Sequence, residues 1–326
     1  MKNTVWVLAT GGTISGAGAA GQAAIYQDGA FDVQNLLQGL PALKDGLEVR
    51  GEQLFSISSD DITAAHWLLL ARRIQDLEKR PEICGFVVLH GTNTMEETAF
   101  FLHLTLKTEK PVVLTGAMRP ATALSADGPM NLYQSIHLAA CPEARGRGVL
   151  VCFSDAVYSA RTVQKVNAFR PQAYGCRGYG CVGVMRDEKV FFQQKTEKPH
   201  TVNSMFRADG LAGLPRVDVA YFHADAAPDL LAYSAARARG VVLAGAGAGL
   251  CSGLWKTELK RCTEKGIPVV RASRTGNALI LWDTIDEECG TIPGYTLSAE
   301  KLRILLSLCL AEKKNKKQIH DILREY

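Results

Sequence analysis

The chain has 326 residues, and 47% of them are apolar, enough to bury the cores of two ordinary domains or one large one. Its 37 basic and 33 acidic side chains leave a net charge of +4, a balance that requires neither nucleic acid nor an anionic membrane as a partner. No apolar run approaches the roughly twenty residues of a membrane span, and no charged–apolar–small leader precedes the strand-like sequence at Thr4, so the expectation is a cytoplasmic protein.

Thr4-Val5-Trp6-Val7-Leu8 is an apolar, β-favouring run without a polar break, as expected of a strand buried on both faces of a parallel sheet. It stops at Ala9-Thr10-Gly11-Gly12-Thr13-Ile14-Ser15. Two readings are open there. The glycines can make a plain tight turn, or they can present Thr13 as a nucleophile at the carboxyl edge of the sheet, where open α/β sheets bind ligands. A dinucleotide site is disfavoured because Gly-x-Gly-x-x-Gly is not matched. The Gly/Ala-rich run from Gly16 to Gly21 cannot bury itself and is expected to be a mobile lid beside that edge. Tyr26 at its far end either reaches back to the site or packs the loop down.

Further along, apolar runs alternate with amphipathic ones, which predicts an α/β fold with a larger, doubly wound N-terminal domain. Phe55-Ser56-Ile57 reads as a strand entering the polar turn Ser58-Ser59-Asp60-Asp61, with Asp61 as a possible cap of the helix through Trp67. Ser59 and Asp60 then sit at the helix mouth, facing a ligand or merely capping. Strand-like Cys84–Leu89 runs into His90-Gly91-Thr92-Asn93-Thr94-Met95-Glu96-Glu97, where Thr94 and Glu97 have the spacing of a capping box. That places Thr92 and Asn93 in a strand-to-helix turn at the same edge as Thr13, with His90 read as structural. Pro111–Thr115 followed by Gly116-Ala117-Met118-Arg119-Pro120 repeats the pattern, and Ser125-Ala126-Asp127-Gly128-Pro129 opens another helix. Lys165, in Arg161-Thr162-Val163-Gln164-Lys165, would alone be read as a surface lysine.

The pattern fades over residues 191–213, the candidate linker between an N-terminal domain (1–190) and a smaller C-terminal α/β domain (214–326). The second domain's strands are expected at 217–222, 240–244 and 267–270. Gly245-Ala246-Gly247-Ala248-Gly249 resembles a phosphate loop only superficially, since no acidic residue follows at the right distance. Lys313-Lys314-Asn315-Lys316-Lys317 reads as a solvated helix end. Nine scattered cysteines without a C-x-x-C pair read as reduced thiols, Cys176 and Cys181 included, and no metal site is expected.

Four motifs together resemble bacterial-type L-asparaginases: Thr10-Gly11-Gly12-Thr13-Ile14, His90-Gly91-Thr92-x-Thr94-Met95-Glu96-Glu97-Thr98, Thr115–Pro120 and Ser125-Ala126-Asp127-Gly128-Pro129-x-Asn131-Leu132. The resemblance runs nearly the whole chain. It implies an amidohydrolase that needs no metal or organic cofactor and acts on a small-molecule amide through a threonyl ester. It further implies a homodimer or homotetramer in which a neighbouring subunit completes each site. Carried over residue by residue, it makes Thr13 the attacking threonine, Tyr26 its lid partner, and Thr92 and Lys165 the second threonine–lysine pair. Ser59 and Asp60 fall where the substrate's α-carboxylate and α-ammonium bind. Ala117 falls where a main-chain carbonyl meets the side-chain amide, and Asp283 falls where an acidic residue steadies the lid tyrosine.

Two positions depart from the family. Asn93 stands where relatives carry an aspartate that pairs with the substrate's ammonium, and Gly253 replaces an asparagine often found before Leu-aromatic-Lys. For Asn93 three explanations are open: Asp60 supplies the carboxylate, the natural substrate lacks a free ammonium or carries a bulkier substituent, or the asparagine was introduced to trap a complex. Two other functions compete with hydrolysis of asparagine or a close relative. One is a substrate-binding or sensor homologue with little turnover. The other is the amidase subunit of a tRNA-dependent amidotransferase, disfavoured because strand-like sequence begins at Thr4.

Overall fold

The computed structural model describes residues 3–326 except 20, 22–25, 28, 29, 45 and 177, with the backbone alone for residues 26 and 27. The chain divides into two compact units, Met1–Gly210 and Leu211–Tyr326. The first is built on an eight-stranded sheet of β1 (Asn3–Ala9), β2 (Leu47–Gln53), β3 (Ile83–Leu89), β4 (Val112–Thr115), β5 (Val149–Phe153), β6 (Ala156–Ser159), β7 (Gly183–Arg186) and β8 (Lys189–Phe192). Its spatial order is β8-β7-β6-β5-β4-β3-β1-β2, parallel from β2 to β5 and antiparallel beyond. The helices between these strands are α1 (Val33–Gln38), α2 (Ala64–Glu78), α3 (Met95–Thr105) and α4 (Gly128–Ala140).

Strands β3, β4 and β5 are almost wholly buried, which is why they read as unbroken apolar runs. The chain leaves β1 towards β2 on one side and returns to β3 on the other, so the order reverses at β1. Ligands of open α/β sheets bind beyond the carboxyl ends of strands at such a reversal. Ala9 pairs with Leu89, and Leu89 with Thr115, so β1, β3 and β4 end at one level and open three turns side by side.

Several local expectations shift. The strand expected at 55–57 lies earlier, at β2, a polar and half-exposed edge strand. Residues 54–57 instead cross the end of β1, with Leu54 N donating to Ala9 O at 2.9 Å and Ile57 N to Thr10 O at 3.1 Å. Thr63, not Asp61, caps α2, its backbone N donating to His66 Nδ1 at 3.1 Å. Asp61 belongs instead to a single 3-10 turn, Ser59–Asp61. The expected linker begins inside the sheet, since Phe191 and Phe192 pair with Val184 and Gly183, and the first unit extends to Gly210. In the Gly/Ala run, Gly16 O accepts from Ala121 N at 3.0 Å, and Gly18 N donates to Thr122 Oγ1 at 2.9 Å. Gly16 and Gly18 are thus each held through a backbone group.

The second unit has four parallel strands in sequential order, β9 (Val217–Tyr221), β10 (Gly240–Gly245), β11 (Val269–Ser273) and β12 (Ile292–Pro293). Its helices are α5 (Asp229–Arg237), α6 (Gly253–Glu264), α7 (Thr284–Cys289), α8 (Ala299–Ala311) and α9 (Lys316–Glu325). Leu231, Trp255, Leu259 and Ile285 form a core with Val241, Leu243 and Val269 of the sheet. All nine cysteines are free thiols.

One buried ion pair organises this unit. Arg271 Nε donates to Asp286 Oδ1 at 2.7 Å and its Nη2 to Oδ2 at 2.5 Å, with both side chains shielded from solvent. Arg271 Nη1 also donates to Ala248 O at 3.0 Å, so the glycine-rich loop after β10 is pinned by a guanidinium. Removing one member of such a pair strands the other charge in the interior. Asp286→Ala is therefore expected to lower the unfolding free energy of this unit by about 3–5 kcal/mol, measured by urea denaturation. A loss below about 1 kcal/mol would mean that the guanidinium finds other partners or reaches solvent.

Candidate active site

The three turns at the carboxyl edge pack backbone against backbone. Gly12 has φ +87°, and a Cβ there would lie 2.4 Å from Gly91 Cα, so a larger residue would be both strained and blocked. A Cβ on Gly91 would meet Ser59 Cβ at 2.8 Å. Gly12 and Gly91 thus let the loop after β1, the loop after β3 and the Ser59–Asp61 turn touch. A cavity of about 590 Å³ opens beside them, lined by Thr13, Ser59, Asp60, Thr92, Asn93 and Lys165 among others. Its size suits a small polar molecule.

Thr13 opens a single 3-10 turn, Thr13–Ser15, whose Ser15 Oγ donates to Gly12 O at 2.8 Å. Thr13 and Thr92 are buried and face the same cavity. Lys165 Nζ donates to Thr92 Oγ1 at 2.8 Å. The lysine arrives on a two-residue antiparallel pairing in which it lies opposite Tyr174. Tyr174 is itself buried, and its hydroxyl donates to Thr92 O at 2.5 Å, so one hairpin holds residue 92 by both its carbonyl and its side chain. The backbone N of Lys165 donates to the Glu96 carboxylate in the first turn of α3. Burial pushes the Lys165 amine below its ordinary value, against the opposing pull of Asp60 and Glu96. An amine so placed is easier to hold neutral and can accept a proton from a hydroxyl.

The polar wall follows. Asn93 N donates to Ser59 Oγ at 3.2 Å and Thr94 Oγ1 to Ser59 O at 2.7 Å, joining the two turns. The Thr94 hydroxyl is thereby diverted from the capping box expected of it, and no side-chain cap forms on α3. Asn93 Oδ1 accepts from Lys165 Nζ at 2.6 Å, while its Nδ2 donates to Asp60 Oδ1 and Oδ2 at 3.1 and 3.2 Å.

Two family models cover the chain: "Asparaginase, N-terminal" over residues 4–198 and "Glutaminase/Asparaginase C-terminal domain" over residues 216–323. The chain belongs to the asparaginase family. Across 99% of this chain and 93% of the relative, it is 38% identical to a probable periplasmic L-asparaginase of Haemophilus influenzae. It is 37% identical, over the full length of both, to a glutaminase-asparaginase of Acinetobacter glutaminasificans. The solved structure of a probable cytoplasmic L-asparaginase from Campylobacter jejuni superposes with a TM-score of 0.95 at 38% identity, covering 100% of each chain.

In this asparaginase-family chain the cavity brings together six of the nine residues singled out from sequence: Thr13, Ser59, Asp60, Thr92, Asn93 and Lys165. Ala117 is buried in the loop after β4, next to Met118 and Arg119, which do line the cavity. Tyr26 pairs through its backbone with Gly18, and its side chain lies outside the described residues. Asp283 lies in the second unit, where its carboxylate accepts from Thr284 N at 2.6 Å and caps α7. His90 is fully buried, its Nδ1 bonded to Gly91 O at 2.7 Å and its Nε2 to Thr98 Oγ1 at 2.9 Å. Burial lowers its pKa to about 4, which fits a neutral structural histidine.

Sequence reading missed two supports. Asp127 accepts from Met118 N and Arg119 N, at 2.9 Å each, and so sets the loop that carries Ala117. Its motif was visible, but its partners were not. Tyr174, the buttress of Thr92, carries no local signal. Among the described residues, no group of three His, Cys, Asp or Glu side chains is arranged to hold a metal ion, and no helix is long and apolar enough to cross a membrane.

Proposed function

We propose that this chain is an amidohydrolase that converts L-asparagine to aspartate and ammonia through an ester on Thr13. The observation that carries the reading is the meeting of Thr13, Thr92 and Lys165 on one cavity, with the amine 2.8 Å from the Thr92 hydroxyl. Thr13 Oγ attacks the side-chain carbonyl carbon, and its proton passes to the nitrogen that will leave. Backbone N–H groups of the turn at Thr92 steady the oxyanion. The tetrahedral intermediate collapses by breaking the C–N bond, and the leaving nitrogen departs, protonated, as ammonia. Water activated through the Thr92–Lys165 pair then attacks the ester and releases aspartate, restoring the Thr13 hydroxyl.

Ser59 holds the α-carboxylate, Asp60 and Asn93 receive the α-ammonium end, and the Ala117 carbonyl accepts from the side-chain amide. Tyr26 closes over Thr13. Asp283 acts on the site of a neighbouring copy in a homodimer or homotetramer. The nine free thiols support a reducing compartment, the cytoplasm, as in the name of the Campylobacter neighbour. The test is ammonia release from L-asparagine and from L-glutamine by the purified protein, with aspartate or glutamate measured as co-product. Absence of ammonia from L-asparagine would overturn the reading.

A further inference from the structure

The hairpin that brings the lysine is too short to hold itself in place. Its pairing is two residues long, Lys165 opposite Tyr174 and Gln164 opposite Gly175. Its position is set from the main sheet. Tyr158 Oη, on β6, donates to Tyr174 O at 2.9 Å, and Ser154 Oγ donates to Pro171 O at 2.9 Å. The Tyr174 ring packs on Phe153 of β5 with centroids 5.0 Å apart. Tyr174 is thereby a fixed post, and its hydroxyl donates to Thr92 O at 2.5 Å, across 82 positions of chain. The peptide unit that accepts this bond joins Thr92 to Asn93, and its other end is also taken, since Asn93 N donates to Ser59 Oγ at 3.2 Å. A peptide group is planar, so bonds to its carbonyl and to its N–H together fix its rotation.

We propose that Tyr174 is a positioning residue for amide hydrolysis: by holding the Thr92 carbonyl, its hydroxyl sets the direction in which the Thr92 side chain meets Lys165. The inference rests on the amidohydrolase reading and adds a residue to it. Tyr174 is not among the described residues that line the cavity, so it acts through Thr92 and not on the substrate. The Thr92 Cα–Cβ bond leaves the backbone beside the held peptide. Turning that peptide swings the hydroxyl away from Lys165 Nζ, now 2.8 Å from it. The lysine's flexible four-carbon stem can follow the hydroxyl to several positions, so it does not choose among them. A buried tyrosine ring packed against the sheet can. Because Tyr174 also pairs with Lys165, the amine and the hydroxyl are both placed from one residue. Burial, and after it the Glu96 carboxylate, hold the phenol well above its ordinary value, so it remains a neutral donor.

The test is a double-mutant cycle on L-asparagine hydrolysis. Tyr174→Phe keeps the ring against Phe153 and removes only the hydroxyl. It is expected to lower kcat about tenfold or more while KM stays within about twofold, since geometry at the reacting groups is lost and no substrate contact is. The same change is then made in Thr92→Ala. Rates there are read with enzyme in excess over isotope-labelled L-asparagine, so that slow turnover is still measured. With the Thr92 hydroxyl gone there is nothing left to aim, and Tyr174→Phe should change the rate by less than about twofold. The same fold-loss in both backgrounds, which is what a smaller folded fraction produces, overturns the proposal. So does a Tyr174→Phe variant whose kcat lies within about twofold of the parent. Failure of the parent protein to release ammonia from L-asparagine would instead overturn the amidohydrolase reading.

Discussion

Thr13→Ala is expected to reduce ammonia release from L-asparagine by about a thousandfold or more, because no other group takes over a covalent step when its nucleophile is removed. The expectation follows from how the chain presents this residue. Strand β1 is anchored in the sheet interior, and Thr10 at its end is tied to Leu89 O through both its backbone N and its hydroxyl, at 3.0 and 2.8 Å. Two glycines at positive φ then turn the chain, and Thr13 follows within one tight turn. Its hydroxyl is therefore aimed from the end of a largely buried interior strand. Thr13→Ser keeps the nucleophile and should retain far more activity than Thr13→Ala. A stalled ester would separate the two threonines: brief incubation with substrate and acid quench should leave the acyl mass on the peptide that holds residue 13. Acylation of residue 92, or an alanine variant within about tenfold of the parent, would reassign the nucleophile.

What sequence reveals here is what local chemistry determines. A strand buried on both faces cannot avoid being an apolar run, so β1, β3 and β4 were legible, and so were the turns that end them. The edge strand β2, Leu-Glu-Val-Arg-Gly-Glu-Gln, is half-exposed and polar, so the sequence pattern points instead to the more apolar 55–57. Lys165 comes to Thr92 across 73 residues on a pairing only two residues long, too short to leave a periodic trace. Only family resemblance raised it above a surface lysine. Likewise Thr94 shows the spacing of a cap, but its hydroxyl is taken by Ser59, which is 35 positions away. The orientation of Asn93 depends on partners 33 and 72 residues distant, so its identity was visible and its bridging role was not.

The same amine sets the second large effect. Lys165→Met keeps the apolar stem and removes the amine proposed as the base, and kcat is expected to fall about 10²–10⁴-fold. The sign of the pH dependence follows from the chemistry. The amine accepts a proton only when neutral, so kcat/KM should rise with pH as Lys165 deprotonates, and this limb should vanish in the methionine variant. Burial lowers the amine's pKa and brings the limb down from where an exposed lysine would put it, while Asp60 and Glu96 hold it up. Lys165→Arg separates this role from a purely electrostatic one, since a guanidinium supplies the charge and the hydrogen bonds but does not deprotonate. Activity in the arginine variant near that of the parent would make residue 165 a fixed cation; loss as deep as with methionine would make it the base.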